Sequence, residues 1–243
     1  MKQDYHLYTA EDHLVWETLY TRQMERINKY ASKAVIKGME VCGFEAKRIP
    51  NFDEVNERLE KATGWKIYVV PGLIEKKPFF EHLHRKEFCA TTWLRKMSQL
   101  DYLEEPDMFH DVFGHIPLLT NKDFCNFLEL LAGIALEHID DDWIIELLGR
   151  LYWFTVEFGL IHEDKKVKAY GAGILSSFGE TEYSIESPIP ARVLYGVENT
   201  FNTKYHIDHF QDKYFVINSY RDLFESIPEI EKIIFYISKG MHI

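Results

Sequence analysis

The sequence contains few cysteines and no long apolar run. Its 243 residues include only three cysteines, Cys42, Cys89 and Cys125, and no two of them form a CxxC pair. An odd, widely spaced set argues against a disulfide framework or a zinc knuckle and suits the reducing cytoplasm. No stretch of about 18 apolar residues occurs, and the N-terminal MKQDYHLYTAEDH lacks the apolar core of a signal peptide. We therefore expect a cytoplasmic protein without a membrane span.

Positive charge is also scarce. The chain has 28 Lys and Arg against 39 Asp and Glu, which gives a net charge of −11, and its basic residues form no extended cluster. Nucleic-acid phosphates and anionic membrane surfaces attract the opposite pattern. The charge balance therefore disfavours both of them as partners.

Aromatic residues, by contrast, are abundant and make up 15% of the chain. Most aromatic side chains pack in protein cores, although such a set can also line a pocket for flat ligands. The length fits one large domain or two small ones. No Pro/Gly/Ser-rich linker, internal repeat or low-complexity tract divides the chain, so we predict that residues 1–243 form a single domain.

The periodicity of apolar residues predicts a mainly helical chain. Thr9 and Asp12 have capping-box spacing and open a long helix that we expect to reach Val41. A second helix is predicted from Phe52 to Thr63, because Gly64 suits its C-terminal cap. Further helices are predicted over residues 107–114, 123–137, 142–158, 220–225 and 228–238, and short strands over 66–70, 167–170 and 214–217. The fold class is therefore α+β, mostly α-helical, with a few short strands.

The segment from Pro106 to Pro117 holds two histidines, His110 and His115, five residues apart. On a regular α-helix that spacing turns by roughly 140°. We therefore expect His110 on a helix and His115 at its end, where Gly114 and Pro117 interrupt the helical turn. The spacing differs from the zinc motif HExxH, whose two histidines are four residues apart and share one face.

Glu157 is the candidate for a third ligand. It is a lone carboxylate within the apolar run LYWFTVEFG, residues 151–159. A buried carboxylate without a partner is strongly unfavourable, so we expect one beside it. Two neutral imidazoles and one carboxylate form the facial triad of non-haem iron(II) oxygenases, which leaves coordination positions open for other ligands.

Spacing alone leaves the function of these residues open. Single histidines on helices are more often surface or satisfied core residues than metal ligands, and this chain has 11 histidines. Glu157 could equally pair with Arg150 or Arg95 in a buried salt bridge. A zinc hydrolase and a metal-binding protein without catalytic activity are the alternatives from other classes.

Several long segments, taken together, resemble the pterin-dependent aromatic amino-acid hydroxylases, and most closely the short bacterial phenylalanine 4-hydroxylases. They are, in order, ATGWKIYVVPGLI, PFFEHL, QLDYLEEPDMFHDVFGHIPLL, LYWFTVEFGLI, YGAGILSSFGE and YHIDHFQDKYFVI. The resemblance covers about residues 8–227. It implies a single hydroxylase catalytic domain that uses Fe(II), a tetrahydropterin such as tetrahydrobiopterin, and O2 as co-substrate.

The resemblance also implies a role for individual residues. The implied metal ligands and catalytic residues are His110, His115 and Glu157. The implied pterin-binding residues are Gly72, Leu73, Ile74, Phe79, Asp111 and Tyr152. The implied amino-acid-binding residues are Arg95, Tyr102, Pro106, Trp153, Phe158, Gly173 and Ser176. Of these, Arg95 would clamp the substrate carboxylate, since a guanidinium fork suits a bidentate partner, and Ser176 would also orient a ligand histidine.

The implied reaction converts L-phenylalanine to L-tyrosine, for phenylalanine catabolism, tyrosine biosynthesis or pigment formation. Trp153 is typical of members that act on phenylalanine or tyrosine, and an apolar Ile207 leaves no partner for a phenol hydroxyl. Tryptophan and tyrosine remain the alternative substrates. The chain departs from animal members at Cys89, where they carry histidine, and at Leu103, where they carry threonine. The resemblance covers neither their regulatory domain nor their tetramerisation helix, so we expect a monomer.

Overall fold

The computed structural model describes residues 1–101, 103 and 105–241, and these are mainly helical. The α-helices are α1 Ala10–Tyr30, α2 Lys33–Cys42, α3 Phe52–Ala62, α4 Lys76–His84, α5 Lys122–Glu137, α6 Asp142–Tyr152, α7 Ala172–Ser176, α8 Phe178–Glu186, α9 Val197–Phe201, α10 Tyr220–Glu225 and α11 Ile227–Ser238. Short 3-10 helices cover Tyr5–Leu7, Met97–Gln99 and Ile116–Thr120. The prediction of a mostly helical α+β fold is confirmed.

Six short strands form two small sheets. The strands are β1 Lys66–Val69, β2 Glu87–Ala90, β3 Leu160–Glu163, β4 Lys166–Ala169, β5 Ala191–Leu194 and β6 Lys213–Ile217. Strands β1 and β2 pair in parallel, and the second sheet has the order β4-β3-β6-β5. The three predicted strands appear as β1, β4 and β6, whereas β2, β3 and β5 were not predicted. Each of these three has only four residues, too few for a clear alternation of polar and apolar side chains.

The long N-terminal helix predicted to reach Val41 is interrupted in the structure at Ala31 and Ser32. The Ser32 N–H donates to the carbonyl of Ala169 at 2.9 Å, so it is withdrawn from the helical ladder. The Ser32 side chain then caps α2 by accepting from the N–H of Val35. A contact with a distant strand therefore decides this break, and the apolar pattern of the segment does not reveal it.

Two predicted helices contain stretches of π-helix. The first π-helix spans Phe109–His115 and the second spans Trp153–Glu157, directly after α6. A π-helix is wider than an α-helix because its hydrogen bonds join residues five apart. Residues at that spacing therefore lie near one face, which brings His110 and His115 together where a regular helix would separate them. The π-helix ends at His115 as expected, but the chain continues directly into the 3-10 helix Ile116–Thr120, so the predicted interruption by Gly114 and Pro117 is wrong.

The first π-helix is held in the core from two sides. Phe109 stacks on Phe113 with ring centroids 4.5 Å apart, and Trp16 of α1 packs edge-on against Phe109 at 5.6 Å. On the other side, α2 lies so close to the following 3-10 helix that a Cβ at Gly38 would collide with the carbonyl of Pro117. This packing fixes the segment that carries both histidines.

No helix within the described residues combines the length and the apolar character that crossing a lipid bilayer requires.

Candidate iron centre and substrate cavity

The side chains of His110, His115 and Glu157 converge on one point, as the sequence predicted. The His115 Nε2 lies 3.2 Å from the His110 Nε2 and 3.2 Å from the Glu157 Oε1. The His110 Nε2 lies 3.6 Å from the Glu157 Oε2. The alternative partners of Glu157 are engaged elsewhere, because Arg95 pairs with Asp107 and Arg150 with Glu146.

This spacing fits a metal ion. Two ligand atoms about 2.1 Å from one ion and at right angles to each other are separated by roughly 3.0 Å, and wider ligand angles increase that separation. The three atoms of His110, His115 and Glu157 lie at such separations and all within 4.8 Å of one another. Because these three ligand atoms would occupy one face of the ion, the coordination positions on the opposite face are left free. The set therefore fits the facial triad of non-haem iron.

Ser176 determines which nitrogen of His110 is available. The Ser176 hydroxyl donates its single hydrogen to the carbonyl of Ala172 at 2.8 Å. Its oxygen, 2.9 Å from the His110 Nδ1, must therefore accept from an Nδ1–H group. The His110 Nε2 is then the unprotonated nitrogen, and its lone pair points toward Glu157. The predicted orienting contact of Ser176 is present.

The electrostatics of the site favour the ligand forms of its side chains. Burial lowers the pKa of His110, although the neighbouring Glu157 carboxylate opposes this, so the imidazole is neutral at neutral pH. Burial alone would raise the pKa of Glu157, but the hydrogen bond and proximity of the His115 imidazole, the nearby His110 and a hydrogen bond from the Gly173 backbone hold it below the usual range. A neutral imidazole and an ionised carboxylate are the forms that bind metals.

Arg95 lies beside this cluster and is held by a buried carboxylate. Its Nε and Nη2 donate to Asp107 Oδ2 and Oδ1, each at 2.9 Å, and its backbone N–H donates to Oδ2. Asp107 has no exposed surface and also accepts from the backbone N–H of His110 at 3.2 Å. The same carboxylate therefore orients the guanidinium and the start of the first π-helix.

A cavity of about 780 Å³ opens onto the candidate ligands. His110, Glu157 and most of the predicted amino-acid-binding residues line it, namely Arg95, Pro106, Trp153, Phe158, Gly173 and Ser176. Trp153 lies 4.8 Å from Phe158 and stacks on Tyr205 at 4.4 Å, measured between ring centroids. At Gly173, a Cβ would come within 2.8 Å of the Phe158 ring. Tyr102, also predicted here, lies outside the described residues.

The predicted pterin residues are divided between a partly buried group and an exposed turn. Phe79 packs edge-on against Tyr152 with ring centroids 5.5 Å apart. Burial raises the pKa of Tyr152 well above its usual value, and the nearby Glu157, Asp111 and Cys89 raise it further. The Asp111 carboxylate accepts hydrogen bonds from the backbone N–H and the hydroxyl of Thr91, both at 2.8 Å. Asp111 directly follows His110 in the sequence and the charge of Glu157 acts on Tyr152, so both lie near the candidate iron centre, with Phe79 in contact with Tyr152.

The turn between β1 and α4 carries Gly72, Leu73 and Ile74. Leu73 is largely exposed and reaches the wall of the cavity. Gly72 and Ile74 are partly exposed and are absent from the lining of that cavity.

Sequence reasoning missed two residues that organise the cavity, Asp107 and Gln211. Asp107 carried a signal, since it is an acidic residue next to a predicted substrate residue, Pro106, in the histidine segment. Gln211 carried none. It is buried, and its Oε1 accepts from the indole N–H of Trp153 at 3.2 Å although 58 residues separate them.

Known proteins resemble this chain over almost its whole length. The family model of the biopterin-dependent aromatic amino acid hydroxylases matches residues 4–237. The phenylalanine-4-hydroxylase of Chromobacterium violaceum is 47% identical over 221 residues, which are 90% of this chain and 73% of that protein.

Solved structures agree with the sequence match. The crystal structure of the C. violaceum phenylalanine hydroxylase with bound iron(III) and 7,8-dihydrobiopterin has a TM-score of 0.92 and 43% identity, covering 99% of this chain and 87% of that chain. The structure of that enzyme with iron and phenylalanine has a TM-score of 0.88 and 42% identity, covering 96% and 87% of the two chains. The resemblance inferred from the sequence motifs is therefore confirmed, and the chain belongs to the biopterin-dependent aromatic amino acid hydroxylases.

Proposed function

We propose that this protein is an iron(II)- and tetrahydropterin-dependent monooxygenase that converts L-phenylalanine to L-tyrosine with O2. The observation that carries the proposal is the triad of His110, His115 and Glu157, which adjoins a cavity that also holds Arg95. Similar proteins named phenylalanine-4-hydroxylase, at 40–47% identity over about nine tenths of the chain, support this substrate.

The iron would be held by His110, His115 and Glu157 on one side only. When bound, iron(II) and the reduced pterin supply the activation of O2 that delivers one oxygen atom to the aromatic ring. The protein side chains contribute by orienting the ligands and shielding the reacting groups. Ser176 keeps the His110 Nε2 unprotonated, and the buried surroundings keep water away from the reacting groups.

Arg95 is proposed to bind the carboxylate of the amino acid. Asp107 occupies the Nε and Nη2 edge of the guanidinium. Nη1 makes one long hydrogen bond of 3.4 Å, to the carbonyl of Leu100. The guanidinium is therefore fixed in orientation but retains donor capacity on Nη1 toward the cavity. A carboxylate bound there would leave the side chain of the substrate among Pro106, Trp153 and Phe158.

The pterin is proposed to lie between the turn at residues 72–74 and the side chains of Phe79, Asp111 and Tyr152. Phe79 supplies an aromatic surface for a flat ring, and Asp111 supplies an acceptor for pterin N–H groups. Because Asp111 directly follows the proposed ligand His110 and the charge of Glu157 acts on Tyr152, a pterin bound there would lie near the iron.

We also propose that residues 1–243 act as a single cytoplasmic catalytic domain and as a monomer. All the site residues come from one chain, so the proposed chemistry requires no second copy. The three cysteines are buried and free, which suits a reducing compartment. Analytical ultracentrifugation of the purified protein would test the oligomeric state directly.

The deciding experiment is aerobic turnover of the purified protein with iron(II) and a reduced pterin. Phenylalanine, tyrosine and tryptophan are supplied in separate reactions, and the products are separated by chromatography. Omitting iron or pterin in turn provides the controls. Tyrosine formed from phenylalanine only when both are present is the expected result.

Other products would change the proposal in defined ways. Dopa or hydroxytryptophan as the main product would keep the mechanism but reassign the substrate. Bound iron without any hydroxylated product would favour a binding protein without catalytic activity.

A further inference from the structure

A second group of metal-binding side chains lies outside the proposed iron centre. His206, Asp208 and His209 are exposed on the loop between α9 and β6, and one ligand atom from each lies within 4.8 Å of the others. His209 Nδ1 is 2.7 Å from Asp208 Oδ1, and His206 Nε2 is 3.5 Å from the carboxylate of Asp212. The imidazole rings of the two histidines are 4.2 Å apart, measured between centroids.

Hydrogen bonds and packing from neighbouring residues hold the backbone of this loop in place. The buried side chain of Gln211 donates from Nε2 to the carbonyl of His206 at 2.7 Å and accepts from its N–H at 3.3 Å. The adjacent Phe210 packs against Tyr183 with ring centroids 5.1 Å apart. Since the loop is already ordered on both sides of Asp208 and His209, an ion would not have to restrain it on binding.

We propose that His206, Asp208 and His209 form a second metal site, for a divalent transition-metal ion of the Zn²⁺ class. Two imidazole nitrogens and one carboxylate oxygen are typical Zn²⁺ ligands, whereas Mg²⁺ and Ca²⁺ prefer oxygen ligands alone. Asp212 pairs with His206 but lies outside this set of three ligand atoms, so water would complete the coordination of the ion.

The position of this site relates it to the cavity. Ile207 and Phe210 are sequence neighbours of the proposed ligands, and both line the cavity that Glu157 also lines. Gln211 holds both the His206 backbone and the indole of Trp153. An ion bound here would therefore lie at the mouth of the substrate cavity. The alternative explanation of this cluster is two surface ion pairs that bind no metal, His206 with Asp212 and His209 with Asp208.

Titration of Zn²⁺ into the iron-loaded protein tests the proposal. Calorimetry gives the number of ions bound and their affinity, and elemental analysis of the desalted protein confirms that the iron is retained. We expect the wild type to bind one Zn²⁺ in addition to its iron. H206A and H209A should each weaken this binding by about tenfold or more, because each removes one nitrogen ligand.

H6A is the matched control, since it removes an exposed histidine far from the loop in sequence, and it should bind the second ion as the wild type does. The substituted side chains are exposed, so circular dichroism should report an unchanged fold. The readout is binding, so it does not depend on the proposed hydroxylation. Absence of a second ion in the wild type, or a second ion that survives both H206A and H209A, would overturn the proposal.

Discussion

Asp107 holds Arg95 through two parallel hydrogen bonds of 2.9 Å, and Arg95 lines the same cavity as the proposed iron ligands His110 and Glu157. Paired charges of this kind are stronger and better oriented than neutral hydrogen bonds. The importance of Arg95 for substrate binding should therefore depend on a residue that itself touches no substrate.

Replacing Asp107 with Asn tests this dependence. The amide keeps one acceptor but loses the charge, so the guanidinium is less well oriented. Loss of a charge-assisted hydrogen bond costs about 1.5–3 kcal/mol, which predicts roughly a 10- to 100-fold lower kcat/KM, mainly through a higher KM for phenylalanine. Steady-state kinetics measures this. E146Q, which breaks the Arg150 pair, is the control and should leave KM unchanged. Equal KM values in D107N and the wild type would reject the role.

Glu157 is predicted to be essential because it is the only carboxylate in the triad. In E157Q the neutral amide is a poor metal ligand, so tyrosine formation should disappear while circular dichroism reports an intact fold. E137Q, which alters an exposed glutamate, should retain activity. Turnover retained in E157Q would remove Glu157 from the ligand set.

Ser176 should affect iron affinity more than folding. Without its hydroxyl, the His110 Nδ1–H loses its acceptor, and the ring is free to adopt the wrong tautomer or rotate. Loss of such a supporting contact typically lowers metal affinity 10- to 100-fold. Iron content after equilibrium dialysis of S176A against a competing chelator measures the change. S184A, which removes a buried hydroxyl elsewhere, is the control and should retain iron. An equal loss of iron in both variants would mean that Ser176 has no specific role in orienting His110.

Gln211 is predicted to position the aromatic wall of the cavity. Q211M keeps much of the side-chain volume but leaves the indole N–H of Trp153 without its acceptor. A mobile Trp153 should raise the KM for phenylalanine and lower the yield of tyrosine per pterin oxidised. Product analysis alongside pterin consumption measures both. Q99M is a control at an exposed glutamine. An unchanged yield in Q211M would remove Gln211 from this role.

Glu180 predicts a specific dependence of stability on pH. It is buried against the Tyr214 hydroxyl at 2.6 Å, and burial raises its pKa to about 7. Between the unfolded value of about 4.3 and pH 7, the folded protein keeps this proton while the unfolded chain has released it. The contribution of Glu180 to stability is therefore complete at low pH and lost as pH rises through about 7.

In E180Q this loss cannot occur, because the amide does not titrate. Relative to the wild type, the variant should gain about 2–3 kcal/mol in free energy of unfolding between about pH 5 and about pH 8. Urea denaturation across that range measures the difference. The exposed neighbour Glu182 is the control, since E182Q should follow the wild type. Parallel curves for E180Q and the wild type would contradict the raised pKa.

The sequence alone predicted the position of most helices and proposed His110, His115 and Glu157 as a ligand set. Apolar periodicity predicts a helix from local information, whereas the ligand set was one reading of the HxxxxH spacing and the lone carboxylate, and the family resemblance favoured it. The wider π-helical turn around His110 and His115 was not predicted, because apolar periodicity does not distinguish it from a regular α-helix.

Tertiary structure alone decided how the site is held. Asp107 is 12 residues from Arg95, Ser176 is 66 residues from His110, and Gln211 is 58 residues from Trp153. Periodicity describes only neighbours along the chain, so it cannot identify hydrogen-bond partners that meet when distant segments fold together. The sequence therefore proposed the ligand residues, whereas only the folded chain shows which groups orient them.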